Sequence, residues 1–208
     1  MKYAIIGSGK IGTALARAFS RNNIEVAIAN SRGPETLASL TKDLGSSVHP
    51  QSVQEACTAE MVFLAVPFPA HKDVAKMFSN WNGKIVVDTM NTLDLSLKQR
   101  EELGGVLSSK VVAKAFSGAR VVKGFNHLPA EKLGTNPSIQ GQRQAVFLSS
   151  NDLDASATVA AVATQLGFAP IELGKLSEGG TPLHVVGGKR AAFYFRIWSS
   201  SADCSTEV

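Results

Sequence analysis

Cysteine, long apolar runs and clustered charge are all scarce in this sequence. Only two cysteines, Cys57 and Cys204, occur among 208 residues, and they lie far apart with no metal-ligand spacing. We therefore expect neither a disulfide framework nor a metal site. No apolar run approaches the roughly 20 residues that a membrane-spanning helix needs. The first strand follows Met1 almost at once, which leaves no room for a signal peptide, so we expect a cytoplasmic protein without a membrane partner.

The charge of the chain is mild and evenly spread. Lysine and arginine number 21 against 17 aspartate and glutamate residues, which gives a net charge of +4, and no basic cluster exceeds a pair. Nucleic-acid-binding domains usually concentrate basic residues in a patch or stripe, so we expect no nucleic-acid partner. The 44% apolar fraction is typical of one well-buried globular domain.

Short apolar segments alternate with segments of helical periodicity along most of the chain. The apolar segments are YAIIG, EVAIAN, MVFLAVP, KIVVDTMN, ARVVKGFN, QAVFLSS and FAPIEL. Such strands, separated by helices, predict a doubly wound, mainly parallel sheet with helices on both faces. One helix is predicted from His71 to Gly83, and another follows Asp152 as its N-cap. We assign residues 1–176 to this domain and residues 177–208 to a C-terminal extension with a loop, a short aromatic segment and a frayed tail.

A G-x-G-x-x-G pattern joins the first strand to the first helix. In this position Gly7 permits the tight turn, Gly9 lets a pyrophosphate approach the backbone, and Gly12 lets the helix pack close to the sheet. The helix N-terminus offers unpaired N–H groups to the phosphates. The turn therefore predicts a dinucleotide site formed by Gly7, Ser8, Gly9, Lys10, Ile11 and Gly12.

The residues after the second strand indicate which dinucleotide binds. NAD-selective sites usually carry Asp or Glu there, to accept hydrogen bonds from the ribose 2′-OH. This chain has Asn30, Ser31 and Arg32 instead. None of these side chains repels a 2′-phosphate, and the planar guanidinium of Arg32 suits one. We predict NADP(H) rather than NAD(H).

Two further strand ends extend the predicted site, because ligands of open α/β sheets lie beyond the carboxyl ends of the strands. One strand ends at Ala65, Val66 and Pro67, and the proline helps to open a cleft because it cannot continue the sheet. The next strand ends in the segment from Asp88 to Asn91. We expect both ends to flank the nicotinamide half of the cofactor. Asp88 is equally compatible with a turn cap.

Several segments together resemble the 8-hydroxy-5-deazaflavin-dependent NADP oxidoreductases. These are short Rossmann proteins whose family also covers the reductase domains of membrane metalloreductases. The matching segments include IIGSGKIGTALA, ANSRGPE, VFLAVP, KGFNHLPA and LGFAPIELG, and they extend to about Leu176. The resemblance implies a Rossmann-type fold, a flavin-like acceptor near FNHLPA, and NADP(H) bound at Gly7, Gly9, Gly12, Ser31 and Arg32.

The segment near the implied acceptor departs from the family pattern. Deazaflavin enzymes resemble LHTIPA where this chain has FNHLPA, so Asn126 takes the family's His position and His127 its Thr position. We assign both residues as catalytic candidates, His127 as a donor of a proton or hydrogen bond to the acceptor. A structural role for this histidine stays open. The small-molecule acceptor stays open between a flavin, a deazaflavin and a quinone.

Three functions are compatible with the sequence. The first is an NADPH-dependent reductase of such an acceptor, since the cofactors carry the chemistry and need few catalytic side chains. The second is a reductase of another small carbonyl or imine substrate, but these enzymes usually have a helical second domain that this chain lacks room for. The third is a non-catalytic, redox-sensing NADP(H)-binding module. A homodimer, common in the family, would cover the aromatic C-terminal segment.

Overall fold

The computed structural model describes residues 1–92, 95–96, 103–179 and 196–198. Its strands are β1 (Tyr3–Ile6), β2 (Val26–Ala29), β3 (Val48–Pro50), β4 (Met61–Leu64), β5 (Ile85–Asp88), β6 (Arg120–Gly124), β7 (Ser138–Ile139), β8 (Gln142–Ser150), β9 (Ala169–Glu172) and β10 (Arg196–Trp198). Its α-helices are α1 (Lys10–Arg21), α2 (Ala38–Leu44), α3 (Val53–Ala56), α4 (His71–Lys76), α5 (Ser108–Ala115), α6 (Ala130–Gly134) and α7 (Leu153–Gln165). Most of the predicted C-terminal extension lies outside the described residues.

The strands form one mixed sheet whose larger part is parallel. Six strands run parallel in the order β3-β2-β1-β4-β5-β6. Strand β8 then pairs antiparallel with β6, parallel with β9, and antiparallel with β7 and β10. The chain order reverses between β1 and β4, which makes a crevice for ligands at the carboxyl ends of these strands. The predicted doubly wound Rossmann-type fold is confirmed.

A row of aromatic rings fills the core on one face of the sheet. Phe19 of α1 contacts Tyr3 of β1 and Phe63 of β4 at centroid distances of 5.4 and 5.5 Å. Phe125, just after β6, then contacts Phe63 and Phe168 at 5.8 and 6.0 Å. These contacts tie four sheet positions and α1 together. They make a firm base for the strand ends that carry the candidate site.

The helix predicted from His71 to Gly83 is shorter than expected: α4 ends at Lys76. The indole Nε1 of Trp81 donates a hydrogen bond to the carbonyl oxygen of Ala75 at 2.9 Å, and its ring packs against Phe116 in the core on the second face. Burial of this tryptophan folds the chain back onto α4 and ends the helix early. The helix that follows Asp152 is confirmed, because the Asp152 side chain accepts a hydrogen bond from the Ala155 N–H at 2.9 Å.

Strand β3 was not predicted. It has three residues, of which only Val48 is buried, so it shows neither an alternating pattern nor an apolar run. It nevertheless extends the parallel sheet beside β2. Within the described ranges, no helix has the length and apolarity required to cross a lipid bilayer.

Candidate functional site

The three glycines of the first turn meet three different surroundings. A Cβ on Gly7, where φ is +113°, would lie 2.2 Å from the Ala65 carbonyl oxygen, and a Cβ on Gly12 would lie 1.7 Å from the Gly7 carbonyl oxygen. Both positions therefore require glycine for the turn itself and for its packing on β4. A Cβ on Gly9 would meet no atom within 4 Å. The protein does not need glycine there for its own packing, so that position is open to a ligand.

Helix α1 starts at this open position without a side-chain cap. Gly9 is its N-cap residue, no side chain accepts a hydrogen bond from the first turn, and the first turn contains no acidic residue. The Thr13 hydroxyl instead donates to the Ser8 carbonyl oxygen at 3.2 Å, which steadies the turn. The first N–H groups of α1, those of Lys10, Ile11 and Gly12, can therefore bind an anion, and the helix dipole favours negative charge there.

A cleft of about 790 Å³ opens over the glycine turn. Nine predicted site residues line it, namely Gly7, Ser8, Gly9, Asn30, Ser31, Arg32, Ala65, Val66 and Pro67. The side chain of Lys10 lines a separate groove between α1 and α6 instead. Asn91, Asn126 and His127 do not line the cleft and lie at the ends of β5 and β6, further along the same sheet edge. The sequence thus located most of the cleft from three strand ends.

One wall of the cleft was not predicted: it is formed by Ser52, Val53 and Gln54 at the start of α3. Ser52 caps this helix: its Oγ accepts a hydrogen bond from the Glu55 N–H at 3.2 Å, and its own N–H donates to Glu55 Oε2 at 2.9 Å. The Ser52 hydroxyl also donates to Glu55 Oε2 at 2.7 Å, and this hydrogen bond, together with the one from the Ser52 N–H, lowers the pKa of the exposed Glu55 carboxyl. The signal was present as the S-x-x-E pattern of a capping box. Asp73 and Met77, also missed, complete the wall from α4 and the turn after it.

Asn30 organises the loop that follows β2. Its Nδ2 donates hydrogen bonds to Ser8 Oγ and to Thr36 Oγ1, both at 3.0 Å, while its Oδ1 accepts from the Arg32 N–H at 2.8 Å. The residue is 9% exposed, so its amide serves this internal network. A carboxylate here could not donate the first two hydrogen bonds. Asn30 thus couples the glycine turn to the loop that carries Arg32.

Ser31 and Arg32 project from this loop into solvent at the rim of the cleft. Four ion pairs occur within the described part of the chain, and none of them involves Arg32. A guanidinium that is exposed at a cleft and unpaired by a carboxylate keeps its hydrogen-bonding capacity for a ligand. The two side chains together offer a hydroxyl and a cation to an anionic group.

Asn91 and Asn126 hold each other at the ends of β5 and β6. Asn91 Nδ2 donates to the Asn126 carbonyl oxygen at 2.8 Å, and Asn126 Nδ2 donates to Asn91 Oδ1 at 3.0 Å. Phe125, between β6 and Asn126, has a φ of +62° that is uncommon for a residue with a side chain. This left-handed residue turns the chain so that Asn126 meets Asn91.

His127 lies against β8 in a mostly apolar setting. Its ring packs on Phe147 at a centroid distance of 4.8 Å, and its Nε2 lies 3.4 Å from the Ala145 carbonyl oxygen. Burial lowers the pKa of His127 to about 4, against the opposing effect of the Ala145 carbonyl. The imidazole is therefore neutral at pH 7. Its Nδ1 is buried and finds no hydrogen-bond partner in the described part of the chain.

A Rossmann-type sheet with an open glycine turn, a helix N-terminus without a side-chain cap and, after β2, an arginine that no carboxylate of the described residues pairs is typical of NADP-dependent oxidoreductases. No group of three or more acidic, histidine or cysteine side chains able to hold a metal ion occurs among the described residues. The sequence model of the family described as NADP oxidoreductase, coenzyme F420-dependent, matches residues 2–92. The predicted resemblance to this family is thus confirmed over the N-terminal part of the chain.

Curated relatives and solved structures agree with this assignment. The chain is 28% identical over 177 residues to metalloreductase STEAP3 of Rattus norvegicus, which covers 85% of this chain and 34% of that protein. It is 29% identical over 175 residues to metalloreductase STEAP2 of Homo sapiens, which covers 84% of this chain and 33% of that protein. The chain thus spans about a third of the length of the curated relatives that it matches.

Two solved structures match nearly the whole chain. A hypothetical protein from Sinorhizobium meliloti superposes with a TM-score of 0.87 and 42% identity, over 94% of this chain and 95% of that one. A candidate F420-dependent NADP-reductase from Arthrobacter sp. FB24 superposes with a TM-score of 0.69 and 26% identity, over 88% and 90%. A reductive aminase from Aspergillus terreus in complex with NADPH shares the fold, with a TM-score of 0.61 and 17% identity over 84% and 55%.

Proposed function

We propose that the protein transfers a hydride between NADP(H) and a flavin, deazaflavin or quinone-like acceptor. One observation carries this proposal: an open glycine position and an unpaired arginine face the same cleft. The first feature suits a pyrophosphate and the second suits a ribose 2′-phosphate. Because Gly9 leaves free space where any other residue would place a Cβ, the residues present fit the cofactor.

The start of α1 would hold the pyrophosphate. Backbone N–H groups of Lys10, Ile11 and Gly12 lie in the first turn, where helical hydrogen bonding leaves them without intrahelical partners. No acidic side chain competes for them in that turn. Backbone N–H groups would thus bind the phosphates, and the positive end of the α1 dipole would attract their negative charge.

The loop after β2 would select NADP(H) over NAD(H). Ser31 and Arg32 offer a hydroxyl and a guanidinium at the rim, and Asn30 keeps the loop in place from below. An aspartate at position 30 would lose the hydrogen bonds that the amide donates to Ser8 and Thr36, and it would repel a 2′-phosphate. The asparagine is thus compatible with an anionic ligand that an acidic residue would exclude.

The protein would orient the reacting rings and exclude water from them. The bound cofactor supplies the hydride, so no side chain has to form or break a covalent bond. Ala65, Val66 and Pro67 provide an apolar wall at the end of β4, and Asn91 and Asn126 provide amides at the ends of β5 and β6. These five residues are proposed to flank the nicotinamide.

His127 is proposed to contact the acceptor as a hydrogen-bonding group. With Nε2–H donating to the Ala145 carbonyl oxygen, Nδ1 is left as an acceptor with no partner among the described residues. A neutral imidazole can accept a hydrogen bond from an N–H or O–H of the acceptor. Its low pKa makes proton delivery from an imidazolium unfavourable at pH 7.

The names of the similar family and of the curated relatives suggest which acceptors to test. The family description names coenzyme F420, and two curated relatives are named metalloreductases. The chain covers a third of those two proteins, so we do not extend metal reduction to it. A hydride acceptor with a flavin-like ring is the class that best suits a site where the rings of Phe147 and His127 lie against each other, 4.8 Å apart at a tilt of 45°.

The test is NADPH oxidation by the purified protein, followed by nicotinamide absorbance with FMN, FAD, a deazaflavin and a simple quinone in turn. NADH is the control donor. We expect rapid oxidation with one of these acceptors and with NADPH only.

The matched control is Gly9→Leu, because a side chain at Gly9 enters open space and leaves the fold intact while blocking the pyrophosphate position. This variant should lose the activity. Tight NADPH binding without oxidation by any acceptor would contradict the proposal and favour a binding module. Turnover with imines or carbonyl compounds alone would contradict it in favour of another reductase.

A further inference from the structure

A buried ion pair joins Asp88, the last residue of β5, to Lys123, the penultimate residue of β6. Lys123 Nζ is 3.2 Å from Asp88 Oδ2, and the two side chains are 2% and 0% exposed. Their neighbours along the same strands, Val86 and Val121, are buried and apolar. Removing two charges from water costs more free energy than such a pair usually returns, so an apolar pair would serve the core as well or better. Stability alone therefore does not account for this pair.

The ion pair holds both backbone polar groups of Met90, in the turn after β5. Asp88 Oδ1 accepts a hydrogen bond from the Met90 N–H at 3.0 Å. Lys123 Nζ also donates to the Met90 carbonyl oxygen. Thr89 lies between Asp88 and Met90, and its hydroxyl donates a hydrogen bond to the Leu64 carbonyl oxygen at 2.6 Å. Three side-chain hydrogen bonds thus hold the turn, in addition to the backbone hydrogen bond from the Thr89 N–H to the Leu64 carbonyl oxygen at 3.3 Å.

The fixed turn leads directly to the asparagine pair. Asn91 follows Met90, which the Lys123 ammonium group holds, and Asn126 follows Lys123 by three residues along the chain that leaves β6. The left-handed backbone at Phe125 turns the chain after β6 so that Asn126 reaches Asn91. Backbone strain of this kind persists where the surrounding structure holds the residue firmly, and it is common at ligand-binding sites. Two loops from neighbouring strands are therefore locked together at the ligand-binding edge of the sheet.

We propose that Lys123 and Asp88 are positioning residues. They fix the Asn91–Asn126 amide pair, and that pair orients the nicotinamide half of the cofactor for hydride transfer. This inference rests on the proposed function, since it assumes that NADP(H) extends along this edge. Neither Lys123 nor Asp88 touches the cofactor. Their effect passes through Met90 to the asparagines.

The test separates the two halves of the cofactor. Adenosine 2′,5′-bisphosphate contains the 2′-phosphate half but no nicotinamide, whereas NADPH contains both. The variants are Lys123→Met, which removes the ammonium group but keeps the length of the side chain, and Asn91→Ala, which removes one amide. The matched control is Arg120→Met, because Arg120 forms an ion pair with Asp152 from the opposite end of the same strand. Binding is measured by calorimetry and the nicotinamide environment by the fluorescence of bound NADPH.

We expect adenosine 2′,5′-bisphosphate to bind all four proteins with the same affinity. Lys123→Met and Asn91→Ala should lose the fluorescence enhancement of bound NADPH. Their turnover number should fall by about 100-fold, the scale of a misplacement of about 1 Å, while KM changes little. Arg120→Met should match the wild type in every measurement.

If Lys123→Met does not fold, the double variant Asp88→Leu with Lys123→Met replaces both charges by apolar groups and should fold. It should show the same loss of fluorescence and turnover. Normal NADPH fluorescence in these variants would overturn the inference, as would an equal loss of adenosine 2′,5′-bisphosphate binding. Failure of the wild-type protein to oxidise NADPH with any acceptor would count against the proposed function, and the fluorescence comparison would still decide the positioning role.

Discussion

The turn between β1 and α1 and the turn after β5 lie at the same edge of the sheet, but they are built differently. The first depends on missing side chains: Gly7 and Gly12 leave no room for a Cβ, and Gly9 leaves an open space. The second depends on buried polar side chains, which Asp88 and Lys123 contribute from neighbouring strands. The first turn leaves space for a ligand because side chains are absent. The second turn holds the amides of Asn91 and Asn126 in place through a buried ion pair.

This difference decides what each turn tolerates. A sterically defined turn fails when any atom is added at a closed position, and it is indifferent to charge. An electrostatically defined turn fails when one partner of the pair is lost, because the other is left buried and uncompensated. Substitutions in the two turns should therefore differ in their effect on stability.

Gly12→Ala should be the most damaging substitution in the first turn. Its Cβ would lie 1.7 Å from the Gly7 carbonyl oxygen, a backbone atom that cannot rotate away. We expect a loss of more than about 3 kcal/mol in the free energy of unfolding, measured with urea. Gly9→Ala is the matched control and should cost at most about 1 kcal/mol, because its Cβ meets nothing. Equal losses in the two variants would refute the steric description of this turn.

Asp88→Ala should destabilise the second turn strongly, because it leaves the Lys123 ammonium buried without its carboxylate. We expect a loss of about 3–5 kcal/mol in the free energy of unfolding. Replacing both residues, as Asp88→Leu with Lys123→Met, should recover most of that loss. The measurement is urea denaturation of both variants at pH 7. A double variant less stable than Asp88→Ala would contradict the electrostatic description.

His127 should make the free energy of unfolding of the protein depend on pH. Its folded-state pKa of about 4 lies below the ordinary value of 6.5, so the unfolded chain binds more protons between these values. The free energy of unfolding should therefore fall as pH drops from 6.5 toward 4, by about 2 kcal/mol in total. His127→Leu should lack this decrease. Parallel pH profiles for the two proteins would show that the imidazole is not held neutral by burial.

Arg120→Met should have the smallest effect of the series. Arg120 and Asp152 form a partly exposed ion pair with N–O distances of 2.7 and 2.8 Å, and pairs of this kind contribute at most about 1 kcal/mol. The Arg120 hydrogen bond lowers the pKa of Asp152 to about 2, so the contribution is present above the ordinary pKa of the carboxyl and is lost as pH falls toward 2. Urea denaturation of both proteins between pH 5 and 2 should therefore show a flatter decline for the variant. A loss at pH 7 as large as that of Asp88→Ala would remove the distinction between buried and exposed pairs.

The glycine turn, the parallel sheet and the loop with Arg32 could be predicted because their signals are local. Each consists of consecutive residues whose conformational limits or apolar pattern identify the structure. The Asp88–Lys123 pair could not be predicted, since its partners lie 35 residues apart and meet only when β5 and β6 align. The early end of α4 was missed for the same reason: it depends on burial of Trp81 against Phe116. Ser52 was an exception, because its capping pattern was readable and was overlooked.

The most direct test of the central claim is the affinity for NADPH and NADH, measured by calorimetry on the wild type and on Arg32→Ala. Lys42→Ala, which removes an exposed cation from α2 away from the cleft, is the matched control. We predict that Arg32→Ala weakens NADPH binding by about tenfold or more and leaves NADH binding unchanged, and that Lys42→Ala alters neither affinity. An unchanged preference for NADPH in Arg32→Ala would contradict the assignment of the 2′-phosphate to this cleft.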